Sequence, residues 1–271
     1  MKVSGNLRKM RTQWENPVQY YLPLYDVLEK KEEVPLNELV GSTIQLTFEQ
    51  QINCVITGKK IRKAYGEGMC YECFIKAPEA VESIIRPELS QAHLGIALRD
   101  LEWEVAHDVQ PHFVYLALTS GVKVGVTRAR HIPFRWIDQG AWKTIILAET
   151  PYRQAAGLIE VALKGFMTDK TDWRKMLCNE QNYEINLLTE KNAVKSNVPI
   201  ELQEYISEND TITEIHYPVL TYPEKVTSLK MDKVPVIRKK LMGIKGQYWL
   251  FEDGSVINIR SHAGYLISLE V

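Results

Sequence analysis

The chain has 271 residues and carries 33 Lys and Arg against 34 Asp and Glu, a formal net charge of −1. This balance excludes a globally basic nucleic-acid binder, so such a function would need a local patch of positive charge. With 45% hydrophobic and 25% charged residues, the composition is that of a globular protein. No apolar run is long enough to span a membrane, and the N-terminus lacks the apolar core of a signal peptide. The sequence therefore predicts a cytoplasmic protein with no membrane partner.

Residues 1–62 form the first segment, and they predict β-strands. Apolar and polar side chains alternate most clearly at residues 20–25 and 43–48, a period that places one face of each strand in a core. The basic run at residues 59–63 is better explained as a solvated strand or loop face than as a binding patch.

Three cysteines predict a metal site at the start of the second segment, residues 63–110. Cys70 and Cys73 have the two-residue spacing of a zinc knuckle, and a turn containing Gly58 would bring Cys54 to them. We expect a structural zinc ion, because this region has no general base beside an open coordination position. Free or redox-active thiols are the alternative.

The fourth zinc ligand is not obvious from the sequence. His93 is our first choice, and His107 or a water molecule comes next. Cys178 is remote in sequence, so only the tertiary fold could bring it to the other three cysteines.

The third segment, residues 111–180, predicts an α/β unit. Two apolar strands are joined by a tight turn containing Gly121, and a short helix, a third strand and a longer helix follow. In chain order these elements cover residues 112–118, 122–127, 133–140, 143–148 and the residues that follow Pro151.

The last segment, residues 181–271, predicts a helix-leaning linker followed by strands. Two strands surround a Glu-Asp-Gly turn within residues 241–260. Because strand-rich segments lie at both ends, we expect an α+β fold in which this segment shares an antiparallel barrel with residues 1–62. The outward face of that barrel would carry Arg260, as a nucleic-acid contact or as an ordinary surface residue.

The third segment resembles the GIY-YIG nuclease superfamily over roughly residues 112–166. Tyr115, in Phe-Val-Tyr, is similar to the first family motif, and Gly125, in Lys-Val-Gly, to the second. The resemblance implies phosphodiester hydrolysis with magnesium or manganese, in which an Arg of the first helix and a Glu of the last helix take part. Arg135 and Glu160 are the matching residues of this chain.

The second motif departs from the family, because Lys123 stands where its Tyr is expected. A desolvated Lys can act as a base or bind phosphate, so we include it with the catalytic candidates. Arg128 is a rival to Arg135, and Gln139 stands where some relatives have His. The nucleic-acid contacts that we expect are basic, aromatic or amide side chains: Arg128, Arg130, Trp136, Gln139 and, in the last segment, Arg260.

Glu160 lies among apolar residues on the predicted last helix, so its carboxylate needs a partner. The functional partners would be magnesium or manganese together with Arg135. The alternative is an exposed pair with Lys164, one helical turn away, which would contribute only a few tenths of a kcal/mol.

A second resemblance covers most of the chain. The strings at residues 121–128, 135–141 and 171–177 are similar to those of an uncharacterised bacterial family, which carries the domain of unknown function 2797. That family implies no activity. From the GIY-YIG resemblance we expect a metal-dependent nuclease acting on DNA or RNA, or else a catalytically inactive, zinc-stabilised nucleic-acid-binding protein. A scaffold that touches no nucleic acid is a third alternative, and the oligomeric state is left open.

Overall fold

The computed structural model describes all residues from 1 to 271, and its regular elements form a mixed α+β fold in which sheet predominates. The strands are β1 (Lys2–Leu7), β2 (Arg11–Gln13), β3 (Gln19–Asp26), β4 (Glu29–Pro35), β5 (Thr43–Asn53), β6 (Lys60–Ile61), β7 (His112–Leu118), β8 (Val122–Arg128), β9 (Lys143–Thr150), β10 (Thr213–Glu214), β11 (Thr227–Leu229), β12 (Val236–Lys245), β13 (Tyr248–Phe251), β14 (Ser255–Asn258) and β15 (Tyr265–Glu270). The helices are α1 (Tyr71–Lys76), α2 (Leu101–Asp108), α3 (Phe134–Asp138), α4 (Arg153–Leu163), α5 (Trp173–Leu177) and α6 (Leu187–Val194). None of them is both long enough and apolar enough to cross a bilayer.

The chain divides into two units, and unit 1 is built from both ends of the sequence. It comprises residues 1–75, 177–179 and 216–271. Its eleven strands form one sheet in the order β11-β14-β13-β12-β5-β15-β1-β3-β2, with β4 paired to β3 and β6 to β5. Strand β5 lies between β12 and β15, and β15 pairs with β1, so the predicted first and last strand-rich segments share a single sheet.

The sheet of unit 1 curls back on itself without a closing strand ladder. The backbone N–H of Met10, in the β1–β2 loop, donates to Gln247 Oε1 at 2.8 Å, and Gln247 Nε2 donates to the carbonyl of Met10 at 3.1 Å. Gln247 belongs to the β12–β13 turn and is buried. The strand order has two free ends, at β11 and β2, so the expected closed barrel is instead a curled sheet. The Gln247 side chain links the β1–β2 loop to the β12–β13 turn.

Unit 2 comprises residues 76–176 and 180–215. Its four strands form an antiparallel sheet in the order β10-β9-β7-β8. Helix α4 packs on this sheet through residues spaced three to four apart, an amphipathic pattern that buries one helix face. The buried side chains of α4 that join this core are Ala155, Ala156, Ile159 and Leu163.

The segment before β7 is also part of unit 2, and it consists largely of tight turns. Four 3-10 turns, Pro78–Ala80, Glu82–Ile84, Pro87–Leu89 and Ala92–Leu94, precede α2. A Cβ at Gly157 of α4 would lie 2.2 Å from the backbone nitrogen of Glu88. The third turn therefore packs so close to α4 that only glycine fits at position 157.

Helix α2 buries two of its three carboxylates and exposes apolar side chains. The Glu104 carboxylate accepts hydrogen bonds from the backbone N–H groups of residues 98–100, and Asp108 accepts from the hydroxyls of Ser83 and Ser90. Both carboxylates are buried, whereas Leu101 is 42% exposed. The helix is therefore held by hydrogen bonds to buried charges instead of by an apolar face.

Candidate functional site

The β7–β8 hairpin of unit 2 brings the two motif residues into contact. Tyr115 and Gly125 are directly paired across the ladder. A Cβ at position 125 would lie 2.6 Å from the Tyr115 hydroxyl oxygen and 2.8 Å from Cζ. The ring of Tyr115 therefore lies across β8, and only glycine leaves room for it.

Helix α3 and the residue after it surround the Tyr115 hydroxyl. Gln139 Nε2 donates to that hydroxyl at 2.9 Å, and the Trp136 ring meets the Tyr115 ring edge to face at 6.0 Å. Burial raises the pKa of Tyr115, while the positive charge of Arg135 and the bond from Gln139 oppose the rise. Tyr115 is therefore a neutral hydroxyl at physiological pH, able to donate or accept a hydrogen bond.

The structure corrects the prediction that Trp136 contacts nucleic acid. The side chain is only 4% exposed and packs on Tyr115, so its faces are not open to a base. A large aromatic ring removes more apolar area from water when it packs between a helix and a sheet than when it stays at the surface.

Lys123 enters the same site from β8. It is 8% exposed, and burial lowers the pKa of its ammonium to about 8. The positive charge of Arg135 lowers this pKa further, whereas Asp169 and Glu160 raise it. A substantial fraction of Lys123 is therefore neutral near pH 8, and its charge interacts with those of both carboxylates and Arg135.

Glu160 lies on α4 and is also only 8% exposed. Its Oε2 lies 3.4 Å from the ammonium of Lys164, one turn along the helix, so the pair described as the alternative is present. Burial nevertheless raises the pKa of Glu160 against the opposing charge of Lys164. The carboxylate is thus buried as well as paired, unlike an exposed helical ion pair.

The four catalytic candidates all belong to unit 2, where electrostatic interactions link them. Arg135 and Glu160 each shift the pKa values of both Tyr115 and Lys123, so the four side chains share one electrostatic environment. The buried Gln139 Oε1 has no hydrogen-bond partner, which leaves an acceptor for a polar ligand. Chemically, this is a polar site with two cations, a buried carboxylate and a neutral hydroxyl.

The other basic candidates have different surroundings. Arg128 is half-buried, and burial together with the charges of Arg130 and Arg153 lowers its pKa. Arg130 is exposed, so this end of β8 carries clustered positive charge. Arg260 belongs to unit 1 and forms an ion pair with Glu67.

Sequence reasoning missed Asp169, which belongs to the same site. A short parallel bridge pairs Thr168 with Lys123, and the backbone N–H of Val124 donates to the carbonyl of Thr168 at 3.0 Å. The bridge places Asp169 beside the Lys164 ammonium, 3.2 Å away. No local signal marks such a pairing, because it depends on how the chain returns after α4.

A second candidate site lies in unit 1, where the predicted cysteines meet. The sulfur atoms of Cys54, Cys70 and Cys73 lie within 4.8 Å of one another, and those of Cys54 and Cys73 are 3.8 Å apart. Tetrahedral zinc with Zn–S bonds of about 2.3 Å places sulfurs about 3.8 Å apart. The three sulfurs could therefore hold a metal ion, and the donor set is compatible with zinc.

Backbone N–H groups point at these sulfurs. The N–H of Cys70 donates to Cys54 Sγ at 3.2 Å, and that of Cys73 donates to Cys70 Sγ at 3.4 Å. Burial opposes ionisation of Cys54, but bonds from Thr57 and from backbone N–H groups outweigh it and lower the pKa of that thiol. Because the thiolate is the form that binds metals, these hydrogen bonds favour the metal-binding form of Cys54.

The structure corrects the predicted fourth ligand. His93 belongs to unit 2, where its ring stacks on Tyr152 at 3.9 Å, and it is not part of the sulfur group. The ring of His107 stacks on Trp103, and the thiol of Cys178 donates to the carbonyl of Glu224. Residues 76–110 belong to the unit of α4, and the group that could hold a metal comprises three cysteines.

Comparison with known proteins gives a family and no further relative. The search of curated proteins and the search of solved structures returned no match. The model of one family, described as a protein of unknown function (DUF2797), matches residues 41–267 and so includes parts of both units. With most of its length matched, the chain belongs to the DUF2797 family.

Proposed function

We propose that the protein is a nuclease-like enzyme that acts on nucleic acid at the site formed by Tyr115, Lys123, Arg135 and Glu160, and that it depends on a divalent metal. The proposal is supported by the pairing of Tyr115 with Gly125 across the β7–β8 hairpin and by the charges of Arg135 and Glu160, which act on both Tyr115 and Lys123. Tyr115, Arg135 and Glu160 match residues of the GIY-YIG family, and Lys123 stands where the family has a Tyr.

Each residue has a role that its surroundings support. Arg135 would neutralise charge that develops on a phosphate. Tyr115 is buried and accepts a hydrogen bond from Gln139, so it would position the hairpin against α3 instead of contacting the phosphate. Lys123, with a pKa of about 8, is suited to accept a proton from water or to hold the phosphate. Glu160 would hold magnesium or manganese, which supplies Lewis acidity at the scissile phosphate.

The residues present fit such an ion. A carboxylate oxygen is the ligand that magnesium prefers, and the Lys164 ammonium already places a positive charge 3.4 Å from Glu160. The unpartnered Gln139 Oε1 leaves a further polar group for a substrate and its waters.

The test compares the wild type with Glu160→Gln on labelled single- and double-stranded DNA and RNA, in magnesium and in manganese. We expect cleavage by the wild type and retention of substrate without cleavage by the variant. Glu201→Gln, an exposed carboxylate of the same unit, is the matched control and should cleave like the wild type. Equal cleavage by all three proteins would point to a contaminant and remove the assignment.

A catalytically inactive, zinc-stabilised nucleic-acid-binding protein is the second candidate. The presence of Lys123 in place of a tyrosine favours it, since a lysine adds phosphate affinity and removes a group on which the family relies. The Cys54, Cys70 and Cys73 cluster favours a structural zinc ion in either case. Binding without cleavage by wild type and variant alike, with affinity that falls steeply with salt, would select this function.

A further inference from the structure

Residues 59–75 of unit 1 carry a local positive charge on a chain whose net charge is −1. The segment holds four basic residues against two acidic ones. Its exposed cations are Lys59, Lys60, Arg62 and Lys63. One of the two carboxylates, that of Glu67, forms an ion pair with Arg260. The segment therefore presents positive charge to a negatively charged partner, which the chain as a whole does not.

Three aromatic side chains follow these cations and pack on one another. The ring of Tyr65 lies 5.3 Å from that of Tyr71 and 6.1 Å from that of Phe74, and the Lys63 ammonium lies 5.0 Å from the Tyr65 ring. Tyr71 is 61% exposed and Phe74 is 39% exposed. Both exposed rings belong to α1, which also carries Cys73 of the sulfur group. Clustered exposed rings of this kind indicate a surface that a partner covers.

A cleft of about 520 Å³ adjoins the same cations, and its volume falls within the range of small-molecule sites. Its apolar lining residues are Phe48, Ile52 and Ile61. Lys60 and Arg62 add positive charge to the lining, and Asp232, whose carboxylate accepts from the Tyr265 hydroxyl at 2.9 Å, adds an acceptor. Three residues of chain span at most about 11 Å, so Arg62 of the cleft lies close to Tyr65 of the aromatic cluster.

We propose that residues 59–75, together with this cleft, bind single-stranded nucleic acid. Phosphates would lie on the exposed cations and unpaired bases on the rings of Tyr71 and Phe74, the combination that single-strand binding requires. A basic run alone is an ordinary solvated face, and the exposed rings and the cleft beside it distinguish this one. The inference rests on the proposed function for nucleic acid as the partner, and it deepens that function by assigning single strands and a surface in unit 1.

The experiment measures binding by fluorescence anisotropy, with labelled oligothymidylate and oligouridylate of about 15 nucleotides and with a duplex of the same length. Magnesium and manganese are left out, so binding is read apart from cleavage. The proteins are the wild type, Tyr71→Ala, Tyr71→Phe and Lys63→Gln, each titrated over a range of salt concentrations. Circular dichroism of each variant checks that the fold is retained.

Lys2→Gln is the matched control for Lys63→Gln, because it removes the same charge from an exposed lysine of unit 1. Lys2 pairs with Glu270, which lies opposite Gln45 of β5. Strand β6 joins β5 at Ile52, seven residues further along, so roughly 23 Å of strand separates the two places.

We expect Tyr71→Ala to bind single strands roughly 5- to 100-fold more weakly, the effect of losing one stacked base. It should bind the duplex like the wild type, because the bases of a duplex are already stacked on one another. Tyr71→Phe keeps the ring and should bind single strands like the wild type. Lys63→Gln should reduce the slope of log affinity against log salt by about 0.7, the value for one phosphate contact of a single strand, and Lys2→Gln should not.

The other outcomes separate this inference from the proposed function. If the wild type binds single strands and both Tyr71→Ala and Lys63→Gln bind them equally well, the surface is wrong and nucleic-acid binding elsewhere on the chain remains. Equal weakening of single strands and duplex in Tyr71→Ala would overturn the stacked bases. If the wild type binds no oligonucleotide, this surface and the proposed function are both overturned. The expected pattern in a protein that cleaves nothing would support the surface and remove the enzyme.

Discussion

The ring of Tyr115 lies where any side chain at position 125 would stand. The same ring meets the Trp136 ring edge to face, and its hydroxyl accepts a hydrogen bond from Gln139. Because the hydroxyl is held by a hydrogen bond, the ring cannot move aside without losing it. The hairpin and the first helix are therefore coupled through one aromatic residue.

Gly125→Ala should lower the free energy of unfolding by about 1–3 kcal/mol, the usual cost of overpacking a closed space. The matched control is Gly121→Ala in the turn of the same hairpin, where a Cβ would meet nothing within 4 Å. Urea denaturation followed by circular dichroism measures both. Equal stability of the two variants would show that Tyr115 does not occupy the space above position 125.

Lys245 offers a test of burial in unit 1. Its side chain is fully buried, with its ammonium near the rings of Tyr217 and Tyr222 and bonded to Asn179 Oδ1 at 2.8 Å. Burial without a carboxylate partner lowers its pKa from 10.5 to about 7. The unfolded chain therefore binds more protons than the folded chain between about pH 7 and pH 10.5, so this group makes stability rise with pH in that window.

We expect the difference in unfolding free energy between Lys245→Met and the wild type to change between pH 7 and pH 10, in favour of the wild type as pH rises. The change should be on the order of several kcal/mol, from the shift in pKa. Denaturation at the two pH values measures it, with Lys233→Met, an exposed lysine of the same unit, as control. A difference that is constant with pH would mean that Lys245 stays protonated in the folded protein.

At the scale of single elements, α2 is the least conventional. Its buried side is formed by Glu104 and Asp108, whose oxygens accept hydrogen bonds from backbone N–H groups and serine hydroxyls. Glu104→Gln keeps the size of the side chain but replaces a carboxylate, which only accepts hydrogen bonds, with an amide. The amide NH2 group would then face backbone N–H donors. It should destabilise the protein by about 1–3 kcal/mol, since a buried donor loses its partner.

Glu102→Gln on the same helix is the control for this change. Because Glu102 is exposed, its substitution should alter the free energy of unfolding by no more than about 0.5 kcal/mol. Thermal unfolding of both variants decides the matter. A Glu104→Gln protein as stable as Glu102→Gln would mean that the carboxylate does not hold residues 98–100 in place.

Element by element, the sequence predicts what is local and misses what depends on the fold. The period of β7 and β8 and the apolar stripe of α4 are visible in neighbouring residues, and the stripe indicated a packed Glu160. Asp169 was missed, because the bridge at Thr168 that places it has no local pattern. The reversed face of α2 was missed as well, since periodicity assigns apolar residues to the core and cannot foresee buried carboxylates.

At the scale of the whole molecule, the chain ends lie side by side in one sheet, and the metal candidate belongs to that sheet. Cys54 follows β5, the strand that pairs with β12 and β15 from the end of the chain. The cysteine spacing predicted a knuckle, and the sulfurs do meet. The predicted histidine ligand is not among the grouped residues, and the sequence could not decide this because tertiary packing determines which residues converge.

Purified protein should contain about one zinc ion per chain, and chelation should lower its melting temperature because the metal fixes the loops around α1. Cys54→Ser should lose the metal. Cys178→Ser is the control and should keep it, since the Cys178 thiol bonds to the carbonyl of Glu224 away from the cluster. Metal analysis by mass spectrometry, with no zinc in either the wild type or Cys178→Ser, would favour free thiols.

The central claim is that Tyr115, Lys123, Arg135 and Glu160 form one reactive site for nucleic acid. It is tested most directly by single-turnover cleavage of labelled DNA and RNA in manganese, with the wild type, Glu160→Gln, Lys123→Met and the double variant. Residues that act as a unit are strongly non-additive, so we predict that each single change slows cleavage about 100-fold or more and that the double change adds little. Absence of cleavage by the wild type, or effects that multiply in the double variant, would contradict the claim.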